Sequence, residues 1–367
     1  MQGLIDTTLR EGAQSVGVHF RLDEKIRIVS LLMATGIEEI ELGLAANPAG
    51  MRELLHGCRR LGGGSRLALW CRCREDDIRA AARLRPDVLS LSIPASDLHL
   101  EHRLRRNRQW AIDNLRAAIR QAQAAKLPYI SVGLEDAGRA DPDFLDLLTE
   151  AATKAGANRI RLADTVGTCS PEQITAMVGR VRKATPIAIG IHAHNDFGMA
   201  TANTISALHA GADWGDVSVL GLGERAGMAK LEEVAGYLAL QHRRPGYRAD
   251  LLKTLCETVA RATKRPIAPH HPVIGEAIFS CETGLHLQGL LREPSTYEPF
   301  DPRRVGSERR LLFGTKVGQG AVQILLDQRQ ATTSPDTLRK ITNAIRKQAN
   351  KTQQPLPAHE IITPAPP

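Results

Sequence analysis

Aromatic residues make up only 4% of this 367-residue chain, and their scarcity weighs against a nucleic-acid partner. Such a surface interleaves basic side chains with rings on which bases stack. The net charge of +8 is instead referred to solvated arginines, such as Arg103, Arg105, Arg106 and Arg108 or the Arg303, Arg304, Arg309 and Arg310 group, and to a phosphate-bearing small molecule such as a coenzyme. No apolar run approaches the roughly 20 residues of a membrane span, and the first residues show no charged-then-apolar leader. The expectation is a cytoplasmic protein with no membrane partner. Six cysteines (Cys58, Cys71, Cys73, Cys169, Cys256 and Cys281) contain no Cys-x-x-Cys pair, which argues for reduced thiols over a disulfide frame or a zinc knot. Cys71 and Cys73 read as the end of a strand.

Short apolar segments recur about every 25 to 35 residues: 3–9, 38–42, 67–71, 88–93, 129–134, 159–163, 187–192 and 216–220. Helical patterns lie between them at 23–35, 76–84, 108–126, 142–155, 171–183 and 199–210. Strands alternating with helices imply parallel strands and right-handed crossovers. Eight such units predict an α/β fold, a (β/α)₈ TIM barrel, with a doubly wound open sheet as the alternative. The rhythm breaks near Pro266, where Pro266, Pro269, Pro272, Pro294, Pro299 and Pro302 interrupt any regular element. The domain reading is a catalytic barrel over 1–245, then a linker and small, mostly helical C-terminal subdomain over 246–330. Residues 331–367 are read as a helical stretch (335–347) and a disordered Pro-rich tail.

Polar residues gather where the predicted strands end: Arg10, Glu11 and Gln14; Ser96, His99 and His102; Glu135, Asp136 and Arg139; Asp164 and Thr165; His192, His194, Asn195 and Asp196; Glu224 and Arg225. That rim is where such barrels carry catalysis. Within Ile191-His192-Ala193-His194-Asn195-Asp196 the two imidazoles point the same way, because strand side chains alternate faces. A carboxylate from Asp6-Thr7-Thr8-Leu9-Arg10-Glu11-Gly12 would complete a site of two His and one acid, which leaves open positions on a metal. A His-x-His pair alone is more often solvated or hydrogen-bonded than ligating.

Those two segments, with Gly221-Leu222-Gly223-Glu224-Arg225-Ala226-Gly227, resemble the acyltransferase branch of metal-dependent aldolase-like barrels. That branch holds homocitrate, isopropylmalate and citramalate synthases, and the nearest likeness is to the homocitrate synthases of nitrogen-fixing bacteria. Supporting segments are 65–72, 90–98, 135–141 and 162–167, and the resemblance runs over roughly residues 3 to 325.

The resemblance implies a Claisen-type condensation in which acetyl-CoA adds its methyl carbon to the ketone of a 2-oxo acid, 2-oxoglutarate in the homocitrate case, and thioester hydrolysis releases CoA. It implies a divalent ion (Mg, Mn, Zn or Fe(II)) held by Glu11, His192 and His194, with Arg10 stabilising the developing alkoxide. Gln14 and Thr165 would hold the oxo acid, with His102 a further candidate near it and His99 a less favoured one. His286, in Gly-Leu-His-Leu and eleven positions before Tyr297, would serve with that tyrosine in removing the methyl proton. In the family these two reach into the barrel of the other subunit, so a homodimer with exchanged subdomains is implied. Glu135 would support the metal site or the base, or simply pair with Arg139. Glu224 and Arg225 are expected to knit the rim, and Asp164 to be structural as readily as functional. A retro-aldol lyase is disfavoured by the Gly-Leu-His segment and Tyr297.

The chain departs from the family pattern at several points. Met228 stands where the family places an asparagine that contacts the metal or its water, and Leu220 replaces another asparagine. The family's Gly-Lys-His-Ser-Gly appears as Gly314-Thr315-Lys316-Val317-Gly318, and Cys281 replaces a histidine. Ser131 and Gly133 occupy the positions where lysine-pathway homocitrate synthases carry an arginine and a serine for the distal carboxylate, a pair that the nitrogen-fixation type also lacks. These losses leave open the same reaction on another 2-oxo acid, or a weakly active paralogue that binds CoA or an oxo acid.

Overall fold

A computed structural model describes residues 1–242, 244 and 246–361, and the chain divides into two compact units, Met1–Pro266 and Ile267–Pro367. In the first, eight parallel strands close a barrel in sequence order: β1 (Gly3–Asp6), β2 (Glu39–Leu44), β3 (Arg66–Arg72), β4 (Val88–Pro94), β5 (Ile130–Glu135), β6 (Arg159–Asp164), β7 (Ala188–Ala193) and β8 (Trp214–Val217). Pairing of Gly3 with Trp214 through Asp6 with Val217 closes the ring. The helices are α1 (Leu22–Thr35), α2 (Pro48–Arg59), α3 (Glu75–Leu84), α4 (Arg108–Ala124), α5 (Pro142–Lys154), α6 (Pro171–Ala184), α7 (Ala200–His209), α8 (Leu231–Leu240) and α9 (Leu252–Thr263). Side-chain caps from Asn107, Asp141 and Ser170 start α4, α5 and α6, satisfying backbone N–H groups that a helix start leaves open.

The barrel interior is ionic as well as apolar. Glu39 and Glu41 on β2, and Arg159 and Arg161 on β6, share one face because strand side chains alternate. Arg159, wholly buried, donates to Glu39 at 2.6 Å and to Ser131 at 2.9 Å. One turn of the pleat nearer the mouth, Arg161 donates to Glu41 at 2.8 Å, to Ser90 at 3.0 Å and to Asp216. Buried ion pairs gain little net stability against their desolvation cost, but they penalise error. A one-residue slip of β6 would turn both guanidinium groups to the other face.

Several boundaries differ from the sequence reading. β1 stops at Asp6 instead of running to Leu9, because the Asp6 carboxylate accepts from the Thr8 N–H at 3.0 Å and the Thr8 hydroxyl at 2.8 Å and curls the chain into a turn. β8 lies earlier than expected, and Val219–Gly221 forms a 3₁₀ turn with Leu220 in the left-handed region at φ 59°. Helices α2 and α8 complete the set of one helix after each of the eight strands. The first unit does not end at residue 245: α9 buries Leu252, Leu255, Cys256 and Val259, and its chief neighbour is α1. Each such aliphatic side chain contributes roughly 1.5–3 kcal/mol, enough to hold the helix to the barrel.

The second unit contains β9 (Ser280–Cys281), α10 (Gly284–Arg292), β10 (Arg310–Phe313), α11 (Gln319–Gln328), α12 (Pro335–Thr352) and β11 (Leu356–Pro357). Its core joins Leu287, Phe313, Val322 and Leu326 to Ile345 and Ala349 of α12. The 331–361 stretch is thus part of this unit rather than a helix followed by a loose tail, and Ile361 is buried in it. The Pro364-Ala365-Pro366-Pro367 end lies outside the described residues. All six cysteines are free thiols, and none of the described helices is long and apolar enough to cross a membrane.

Candidate metal and substrate site at the barrel mouth

The β7 strand delivers His192 and, just past its end, His194 to the same side, with ring centroids 5.1 Å apart. Glu11 enters from the turn after β1. One nitrogen of each imidazole and one Glu11 oxygen lie within 4.8 Å of one another, and all three residues are buried. The loop after β8 braces the carboxylate: the Glu224 N–H donates to Glu11 Oε1 at 3.2 Å, and Gly223 exchanges hydrogen bonds with Ser15 at 2.8 and 3.0 Å. Gly227 makes this loop foldable. Its φ is 82°, and a Cβ there would stand 1.9 Å from the Gly221 carbonyl oxygen, so no other residue fits.

Electrostatics prepare the three groups as ligands. Burial pushes the Glu11 carboxyl up, but Arg10, the two imidazoles and the Glu224 N–H outweigh it and hold the group below its ordinary range. Burial, with His192 next in size, pushes His194 down to about 4, so its ring is neutral at pH 7. His194 Nδ1 is buried without a hydrogen-bond partner among the described residues. His192 Nδ1 lies 2.6 Å from Asp216 Oδ2, which turns Nε2 toward Glu11 at 3.9 Å. Two imidazoles and one carboxylate, one ring oriented by an outer carboxylate, fit a divalent cation.

A cavity of about 270 Å³ surrounds these groups, and Arg10, Gln14, Glu135 and Thr165 line it with the three candidate ligands. Arg10 donates to Glu41 at 2.6 Å and to Glu11. Thr165 accepts the Asp136 N–H at 2.8 Å. Glu135 does not pair with Arg139, which binds Asp136 at 2.8 Å; it accepts from Ser92 at 2.6 Å and pairs with Arg103. His102 is exposed on a π-helical stretch, His99–Leu104, and its neighbour Arg103 lines the cavity instead. Arg225 donates to Asp196 at 2.9 Å and to the Thr165 carbonyl at 2.6 Å, tying three rim loops together. Asp164 receives the Thr168 and Cys169 N–H groups at 3.0 and 3.2 Å, a loop-holding arrangement.

His286 and Tyr297 belong to the second unit, where their rings stack at 4.1 Å. Met228 is buried, bridges to His194 through the backbone, and its sulfur accepts from Thr7 Oγ1 at 3.1 Å. Val317 is core of the second unit, with Arg346 donating to its carbonyl at 2.7 Å. Sequence reasoning missed Glu41, Arg161 and Asp216; the spacing Glu39-x-Glu41 and Arg159-x-Arg161 inside strands was the available signal. It also missed Arg103 and Trp70 as lining residues.

The HMGL-like family matches residues 2–259, and the homocitrate synthase post-HMGL domain-like family matches residues 273–353. The chain belongs to the isopropylmalate/homocitrate synthase family. Among its relatives, the homocitrate synthase of Frankia alni is 42% identical over 88% of this chain and 92% of its own length. The 2-isopropylmalate synthase 2 of Caldanaerobacter subterraneus subsp. tengcongensis is 37% identical over 98% of this chain and 94% of its own. The 2-phosphonomethylmalate synthase of Streptomyces rubellomurinus is 35% identical over 94% and 92%. The barrel also superposes on the HMG-CoA lyase of Bacillus subtilis with a TM-score of 0.65 at 20% identity, covering 73% of this chain and 96% of the lyase, a likeness of fold.

Proposed function

We propose that this member of the family is an acyltransferase that condenses acetyl-CoA with 2-oxoglutarate to give homocitrate and CoA. The carrying observation is the buried Glu11, His192 and His194 cluster with Arg10 at its edge, in a chain whose homocitrate synthase relatives align over most of its length. A divalent cation at the three ligands would supply Lewis-acid polarisation of the 2-oxo carbonyl. The Arg10 guanidinium, fixed by Glu41 and Glu11, donates to the ketone oxygen as negative charge grows there, and it needs no reorganisation to do so. Gln14 and Thr165 hold the acid's carboxyl end. The acetyl methyl group gives up a proton to His286, assisted by Tyr297; its carbon bonds to the ketone carbon as the carbonyl π pair moves onto the ketone oxygen, which takes up a proton from solvent and ends as a tertiary hydroxyl. Water then cleaves the thioester and CoA leaves. His286 and Tyr297 act here on the barrel of the partner subunit of a homodimer, as the family resemblance implies.

Homologues that act on other 2-oxo acids support a second reading, the same condensation on 2-oxoisovalerate, pyruvate, oxaloacetate or an analogue. Ser131 leaves room for it: the side chain is buried and taken up by Arg159 at 2.9 Å, so it does not serve a distal carboxylate. The test is release of free CoA from acetyl-CoA by metal-loaded protein across a panel of 2-oxo acids. Release with 2-oxoglutarate alone supports the first reading, release with another acid the second, and release with none rejects both.

A further inference from the structure

Two cavities share one wall in the barrel mouth. The first, of about 270 Å³, contains the candidate metal ligands; the second, of about 700 Å³, lies over the ends of β3 and β4 beside Arg72, Arg106 and Trp110. Trp70, Ser92, Arg103 and Glu135 line both. A 2-oxo acid held by its carboxyl end at Gln14 and Thr165, beside the Glu11, His192 and His194 cluster, and pointing its distal end to this side meets that wall.

Three arginines face the first cavity, and two of them are already committed. Arg10 serves Glu41 and Glu11, and Arg161 serves Glu41, Asp216 and Ser90. Arg103 has a single acceptor among the described residues: its Nη2 donates to Glu135 Oε2. A guanidinium carries five N–H donors in a fork suited to a carboxylate, so most of its donor set remains for a ligand. Its side chain is 50% exposed, whereas Glu135 beneath it is held by Ser92 at 2.6 Å. The residue stands on a π-helical turn, an irregularity that recurs where a side chain is re-aimed for function. On β5 Gly133 has no side chain to offer and Ser131 is bound by Arg159. Of the three arginines that line the first cavity, Arg103 is the one left for the far end of the acid.

We propose that Arg103 selects 2-oxo acids with an anionic distal group, with Glu135 and Ser92 holding its guanidinium at the wall and Trp70 covering the acid's methylene chain. This rests on the condensation reading above. The full chain, loaded with Mn²⁺, is titrated calorimetrically with 2-oxoglutarate and with 5-methyl-2-oxohexanoate, which replaces the distal carboxylate by an uncharged group of similar shape. The diacid is expected to bind about 10- to 100-fold tighter, the range for a charge-assisted hydrogen bond. Arg103→Met should abolish that preference while leaving the neutral acid within about twofold, and Arg103→Lys should keep part of it.

Equal affinity of the two acids for the unaltered protein overturns the proposal without depending on any variant's folding, and so does a preference that survives in Arg103→Met, since that binding itself shows the variant to be folded. Binding of neither acid overturns it as well. CoA release measured in parallel separates the two claims. Preference for the diacid without release from any acid refutes the condensation and leaves the Arg103 assignment standing. Release from neutral acids only does the reverse.

Discussion

Asp216 fixes the tautomer of His192. Its Oδ2 lies 2.6 Å from His192 Nδ1, and the pairing leaves Nε2 on the side of Glu11, 3.9 Å from that carboxylate. The same oxygen accepts from Arg161, so the carboxylate is itself held by a buried cation. An imidazole whose outer nitrogen donates to a carboxylate is a better-oriented and more basic ligand. Asp216→Asn is therefore expected to weaken divalent metal binding by about 10- to 100-fold while the protein stays folded. Manganese titration of the two proteins, with circular dichroism as the check on folding, reads this out; unchanged affinity would mean that the ring needs no outer partner.

Glu11→Ala and His194→Ala remove a ligand outright. Each should abolish metal-dependent CoA release and leave the melting curve of the apo protein close to that of the unaltered chain, because the cluster is a site and not the core of the barrel. Unchanged turnover by the unaltered protein in metal-stripped buffer would sink the assignment.

The three candidate ligands were legible because both signals are local. Two histidines at period two close one strand, and a Glu follows another. The barrel was legible for a similar reason, since apolar segments at regular spacing need no knowledge of partners. What escaped was whatever depends on contacts across the barrel. Arg161 meets Glu41 120 residues away and Asp216 55 residues away, and neither distance leaves a trace in the local pattern. The choice between His102 and Arg103 turns on one π-helical turn, which shifts which neighbour faces inward. Helix α2 contains Gly50 and Gly57, whose poor helix propensity hid it, although its buried face is regular at Met51, Leu54, Leu55 and Cys58.

Asp6 sets a pH dependence of stability. Burial pushes its carboxyl up from 3.8 to about 7, against the two hydrogen bonds from Thr8. Between those values the folded chain keeps a proton that the unfolded chain has lost. Stability therefore falls as pH rises through about 4 to 7, with no penalty below and the full penalty above, on the order of 4 kcal/mol at most. Asp6→Asn removes the titration. The urea midpoint of this variant should gain on that of the unaltered protein as pH increases from 4 to 7 and then run parallel; midpoints that stay parallel throughout would place the Asp6 titration outside this range.

Met228 tests whether the departure at the rim weakens the site. Its backbone pairs with that of His194, and residues paired across a bridge project to the same side. The thioether accepts from Thr7 Oγ1 at 3.1 Å, and sulfur of this kind is a poor partner for a hard divalent ion. An amide at this position keeps an acceptor for the Thr7 hydroxyl or offers its oxygen toward the ligand cluster. Met228→Asn is accordingly expected to tighten manganese binding by about tenfold, the lower end of the effect of a supporting group around a metal. A titration that shows no gain would mean that Asp216, Arg10 and the Glu224 N–H already supply all the support the three ligands use, and that the methionine serves packing against Thr7 alone.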